Sequence, residues 1–139
     1  MVEIQESQRE AARTYFRCLE NRDGEGLAAL FTDDGSLDDG SGRHTEGPAA
    51  LRAFGESRPK GIDFGEPELW VQGNDRRLTV YGRIAVPGYS KYENAKSSDD
   101  TVRMRWIFHF RGGLIEHAGV SSIRLMPSEI EERDRRAEK

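Results

Sequence analysis

An α+β fold, with helices packed on a curved antiparallel sheet that encloses a pocket, is predicted for this chain by two observations. From Ile4 to Leu19 the apolar positions recur at three- and four-residue steps, with two more helices expected before Pro59, and beyond it the texture changes to alternation. Runs of helix followed by runs of strand indicate layered α+β packing in which the sheet can wrap a helix and leave a cavity. The 139 residues amount to about one domain, expected over residues 1–126 with a solvated tail over 127–139.

Composition narrows the function classes. Net charge is −4 and the isoelectric point about 5.5, which argues against nucleic acid or an anionic membrane as partner, since those need clustered positive charge. A small molecule is the expected partner. The single cysteine, Cys18, excludes an internal disulfide framework and is expected to pack as a small hydrophobe. No apolar run approaches the ~18 residues of a membrane span, and MVEIQESQRE carries no hydrophobic signal segment, so a cytoplasmic protein is expected.

Taken in order, Ile4, Ala11, Ala12, Tyr15, Phe16 and Leu19 predict an amphipathic first helix with Tyr15 on its buried face. Asp23 can cap a second helix that turns Leu27, Leu30 and Phe31 inward. In the short strand that follows, Leu37 is the sole apolar residue. Side chains alternate faces, so Asp39 shares its inward side while Asp38 points out with Ser36. An inward carboxylate is a candidate general base. The competing reading makes both aspartates solvated turn residues beside Gly35 and Gly40.

Pro48 at a helix's first position, with Leu51 and Phe54 on one face, predicts a third helix. A strand is expected around Glu68 to Gln72. A half-buried strand follows, with Leu78, Val80, Ile84 and Val86 alternating against Thr79, Tyr81, Arg83 and Ala85. GYSKYENAKSSDD reads as a long polar connection, a flexible hairpin tip or a lid. TVRMRWIFHF puts Met104, Trp106, Phe108 and Phe110 on one side and Arg103, Arg105, Ile107 and His109 on the other. Gly112-Gly113 predicts a tight hairpin into a last strand ending near Leu125. After Pro127, Ser128 and Glu131 make a capping box for a fraying helix with one apolar residue, Ile130.

This order, with a tyrosine in the first helix, ALFTDDGSLDD after the second, EGPAALRAF opening the third and a WIFHFRGG hairpin near the end, resembles the nuclear transport factor 2-like superfamily. Within it the chain looks most like ketosteroid isomerases and SnoaL-like enzymes, over roughly residues 8 to 125. The resemblance implies a cystatin-like cone and a homodimer, for which the Arg103, Arg105, Ile107 and His109 face is a candidate contact. In ketosteroid isomerases a helix-one tyrosine stands sixteen residues before a phenylalanine and the proton-shuttling aspartate eight after it; Tyr15, Phe31 and Asp39 keep that spacing. The resemblance thus implies Asp39 and Tyr15 as catalytic residues. It also puts a pocket-lining phenylalanine at Phe54, and a pocket between the sheet and the first and third helices is expected to be lined by Tyr15, Phe54, Trp106, Phe108 and Val80, with no cofactor or metal.

Two positions depart from the pattern. Ketosteroid isomerases hold a protonated carboxylic acid to help bind the oxyanion, and its position here is Trp106, which can supply an indole N–H but cannot ionise. The tyrosine that in some isomerases supports the oxyanion-hole tyrosine is replaced by Gly55. A faithful steroid isomerase is therefore not expected. The function implied is cofactor-independent acid/base catalysis on a small apolar carbonyl- or epoxide-bearing substrate, by isomerisation, cyclisation or epoxide opening. The alternative is a non-catalytic ligand-binding or dimerisation module of the same fold.

Among the histidines, His109 alternates away from the pocket and His44 sits in a Gly-rich turn. Glu116 or His117 faces inward according to the register after the Gly-Gly turn. Their scatter argues against a metal site.

Overall fold

The computed structural model of the chain describes residues 5–40, 42–85 and 101–122. In chain order these form α1 (Glu6–Glu20), α2 (Gly24–Ala29), β1 (Phe31–Asp38), β2 (His44–Glu46), α3 (Pro48–Glu56), β3 (Leu69–Asn74), β4 (Arg77–Ala85), β5 (Thr101–Arg111) and β6 (Leu114–Ser122). The strands join in one curved sheet of order β2-β1-β6-β5-β4-β3, with the helices packed on it. The α+β class matches the expectation, but the sheet is mixed, not wholly antiparallel. β1 leaves the helical hairpin beside the final strand and runs parallel to it, the Ile115 N–H donating to the Leu30 carbonyl at 2.8 Å where the two meet. No helix among the described residues is long and apolar enough to cross a membrane.

The α1 helix buries Ala12, Tyr15, Phe16 and Leu19 along the predicted stripe, with Cys18 and Gln8 beside them. Gln8 and Gln72 share a buried hydrogen bond, which ties the start of the helix to β3. Asp23 caps α2 by accepting the Gly26 N–H at 2.9 Å, satisfying one of the donors a helix start leaves unpaired. That helix is shorter than expected. It stops at Ala29, and Phe31, placed on the helix by its apolar spacing, is instead the first residue of β1, paired with Ile115.

Pro48 opens α3, which turns Leu51, Phe54 and Gly55 inward. The α2 and α3 helices touch through glycines: a Cβ on Gly24 would stand 2.2 Å from the Arg52 carbonyl oxygen, and one on Gly55 only 2.9 Å from the Gly24 Cα. A larger residue at position 55 has no room in this contact.

In the sheet, β4 buries Leu78 and Val80 on one face and Thr79 and Tyr81 on the other, so this interior strand is covered on both sides where half-burial was expected. Met104, Trp106, Phe108 and Phe110 of β5 all face the core. The β5–β6 hairpin turns through Gly112 and Gly113 at φ +58° and +82°, the two positive angles a tight two-residue loop demands. Just beyond it the register slips: His109 pairs with His117 and Phe110 with Ile115, so Glu116 is an extra residue in β6. Ile115 and Ala118 therefore face the core, His117 faces away, and Glu116 lies exposed beside Arg111. Neither Glu116 nor His117 enters the interior. The short β2, unpredicted, carries His44 out of its expected turn and pairs it with Asp38. Val86, the GYSKYENAKSSDD connection, the stretch toward Leu125 and the tail lie outside the described residues.

The helix layer is keyed to the sheet by rings. Tyr15 meets Phe108 edge-on at 5.1 Å and Phe16 meets Trp106 at 4.8 Å, geometries that aromatic pairs prefer. From the glycine contact, Gly24→Ala is expected to destabilise the fold by about 1–3 kcal/mol, the usual cost of overpacking, because the clashing atom is backbone and cannot rotate aside. Urea unfolding of the variant checks this, and an unchanged midpoint would mean that the helices do not approach so closely.

Candidate active site

A cavity of about 350 Å³ lies between the helices and one end of the sheet, within the ~300–1,000 Å³ typical of small-molecule sites. Each wall comes from a different element. Tyr15 and Leu19 descend from α1 and Phe54 from α3. Ile62 and Phe64 come from the connection to β3. Ile84, Met104, Trp106 and Val120 supply the sheet side. Against these apolar walls stand few polar groups, chiefly Tyr15, Asp39, Arg58 and Ser122.

Tyr15 is 1% exposed, yet its hydroxyl donates to no group among the described residues. Burial pushes the phenol well above its usual value of 10 against the opposing charge of Arg58, with a smaller upward contribution from Asp39, so it stays protonated throughout the physiological range. It is a neutral O–H donor at the edge of a hollow.

Asp39 follows directly on β1, where it lies both at the cavity and in a turn. It lines the cavity on the side of Leu37, and its Oδ1 also accepts the Arg43 N–H at 3.0 Å while the Asp39 N–H donates to the Arg43 carbonyl. The turn it closes fixes where its carboxylate stands. Asp38 points the opposite way, as alternation requires.

The remaining site residues separate into two groups. Phe54 and Trp106 line the cavity, whereas Val80 and Phe108 do not. Both of those are 0% exposed in the solid core, because the rings of Tyr15 and Phe16 lie against Phe108 and fill the space above them. Arg58 was missed by the sequence reading. It stands two residues past α3 with nothing in its local pattern to mark it, and enters the wall because its chain folds back over Phe54, guanidinium 3.7 Å from the ring centre. Cys18 is buried and unpaired, as expected.

Comparison with known proteins places this architecture. The profile of the SnoaL-like domain matches residues 12–118. No curated protein matches the chain by sequence. Among solved structures, a protein from Sphaerobacter thermophilus is 26% identical, with TM-score 0.68 over 84% of this chain and 96% of its own. A protein provisionally named a ketosteroid isomerase, from Kribbella flavida, shares 16% identity at TM-score 0.65 over 87% of this chain and 81% of its own. Another, provisionally named a polyketide cyclase, from Sinorhizobium meliloti, shares 16% identity at TM-score 0.62 over 85% of this chain and all of its own.

The face of the sheet turned away from the cavity carries the histidines. Asp38 takes His44 Nδ1 at 2.6 Å and His117 Nε2 at 3.3 Å, and His117 Nδ1 lies 2.7 Å from Ser36 Oγ. The Asp38 hydrogen bond raises the pKa of His44, whereas burial first, then the neighbouring His117 and Arg77, lower that of His109. In a proton NMR titration, His44 is expected to titrate above 6.5 and His109 below it, and Asp38→Asn should bring His44 down toward 6.5. A His44 midpoint at or below 6.5 in the unaltered protein would mean that this pair does not form.

Proposed function

The chain belongs to the SnoaL-like domain family, and on that footing we propose that it is a cofactor-independent acid/base enzyme of ketosteroid isomerase or SnoaL type. The observation that carries the proposal is that a phenol whose hydroxyl engages no group among the described residues and a carboxylate line the same apolar-walled cavity. In this reading Asp39 removes a proton from the carbon next to a carbonyl, the carbonyl oxygen gathers the charge, and Tyr15 donates its hydroxyl hydrogen to that oxygen. The protonated Asp39 then returns its proton at a second carbon, completing an isomerisation, or the enolate carbon attacks an internal ketone, whose C=O π bond opens to an alkoxide that takes the proton back from Asp39, completing an aldol-type cyclisation. With an epoxide, Asp39 takes a proton from a water whose oxygen attacks an epoxide carbon, the ring C–O bond breaks, and Tyr15 gives its hydroxyl proton to the released alkoxide and recovers one from Asp39, leaving a diol.

Trp106 stands where an isomerase keeps its second acid, so oxyanion binding would rest on Tyr15, with the indole N–H as a neutral accessory. A specific observation favours a second reading, a ligand-binding module without catalysis: Asp39 already serves the fold by accepting the Arg43 N–H.

Incubating the protein in D₂O with a panel of small cyclic enones and β-keto esters, and following deuterium entry at the α-carbon by NMR, separates the two. Asp39→Asn is expected to slow exchange about 10²–10⁴-fold. Tyr15→Phe should remove about 2.7–4 kcal/mol of transition-state stabilisation, a loss of about 10²–10³-fold. Equal rates in the folded wild type and Asp39→Asn would overturn the base assignment. Tight binding of panel members without any exchange would establish the module.

A further inference from the structure

We propose that Arg58 is an anion-binding residue of the cavity, so that the substrate is a small apolar molecule bearing a carboxylate beside the carbon on which Asp39 acts. The inference rests on the acid/base reading above and names the substrate class for that same site.

The guanidinium is held in place before any ligand arrives. Its Nε donates to the Phe54 carbonyl at 3.0 Å, its Nη2 reaches Ser57 Oγ at 3.4 Å, and its central carbon lies 3.7 Å from the centre of the Phe54 ring. The carbonyl it grips belongs to the last turn of α3, where the helix dipole favours a positive charge. An arginine fixed in this way loses little further freedom on forming a bidentate contact.

Its setting makes the charge conspicuous. Phe54, Phe64, Ile62 and Leu19 share the cavity wall with it, so the half-buried guanidinium borders apolar groups, where pairing with an anion is worth more than in open water. Burial lowers the pKa of Arg58, and the charge of Asp39 acts in the opposite direction, so the guanidinium lies within electrostatic reach of that carboxylate. Of its five N–H donors, those on Nη1 engage no group among the described residues. A carboxylate could take the parallel pair offered by Nη1 and Nη2, the fork geometry at which arginine surpasses lysine. Anchored there, it would hold its neighbouring carbon between the carboxylate of Asp39 and the hydroxyl of Tyr15. The competing role for Arg58 is that of a counter-ion to Asp39 alone, which leaves the cavity indifferent to ligand charge.

Calorimetric titration at pH 7 with matched pairs of acid and primary amide decides between them: phenylacetate and phenylacetamide, cinnamate and cinnamamide, 2-naphthoate and 2-naphthamide. The wild type is expected to bind each acid at least ten-fold more tightly than its amide. Arg58→Gln should erase that preference, acid and amide then binding alike, with the Tyr15 resonance and the urea midpoint reporting an intact fold. Arg58→Lys should keep part of it, and Asp39→Asn should strengthen the acids by removing a competing anion. Equal binding of acid and amide, no binding of any acid to the folded wild type, or a preference that survives Arg58→Gln would overturn the proposal. Because these are binding measurements, they can fail while deuterium exchange still depends on Asp39, and succeed when it does not.

Discussion

The edge-on contacts that Tyr15 and Phe16 make with Phe108 and Trp106 decide where the first helix rests on the sheet, and the rest of the interior follows from that seating. Two consecutive residues of α1 reach two residues of β5 that share one face by period two. A shift of one residue in β5 would turn its rings to the far side and present Arg105 and Ile107 to the helix. At this seating, Phe108 and Val80 close the middle of the interior completely, while toward Trp106 and Met104 the helices and sheet diverge and a hollow remains.

Besides Ser122 of β6, three chain segments bring polar groups to the rim of the hollow. The turn after β1 is closed by Asp39 itself, the end of α3 by Arg58 folding back on Phe54, and α1 brings Tyr15 in from above. In each case the group that faces the cavity is held by contacts of its own: a backbone N–H on the carboxylate, a carbonyl and a ring on the guanidinium, neighbouring rings on the phenol. Sites assembled in this way need little rearrangement on binding, which is where preorganised donors gain their advantage over water. The bulge at Glu116 contributes from a distance. By absorbing one residue it returns Val120 and Ser122 to the cavity side and leaves His117 with Asp38 and Ser36 on the opposite face.

What could be read from residues alone was whatever a local period or a single capping group decides. The stripe of α1, the cap of Asp23, Pro48 at the start of α3, the alternation of β5 and the paired glycines of the hairpin all appear as expected. So does the opposition of Asp38 and Asp39 across β1, which needs only the two-residue period. What escaped depends on partners distant in sequence. The parallel pairing of β1 with β6, the three-residue β2 with its single buried Thr45, and the bulge that answered the choice between Glu116 and His117 are set by neighbouring strands. Phe108 and Val80 share a face with the cavity walls, and only the seating of Tyr15 and Phe16 separates core from lining. Arg58 has no periodic signature at all.

The central claim is that Tyr15 offers its hydroxyl within a secluded space that a small molecule can enter. Labelling the four tyrosines with ¹³C at Cζ and assigning Tyr15 through Tyr15→Phe gives a direct reading of that group. The expected Tyr15 signal shows no ionisation at pH 10, where a solvated phenol is about half ionised, and moves when cinnamate or a cyclic enone is added at pH 7. A Tyr15 signal that titrates near 10 and ignores every added ligand would contradict the claim.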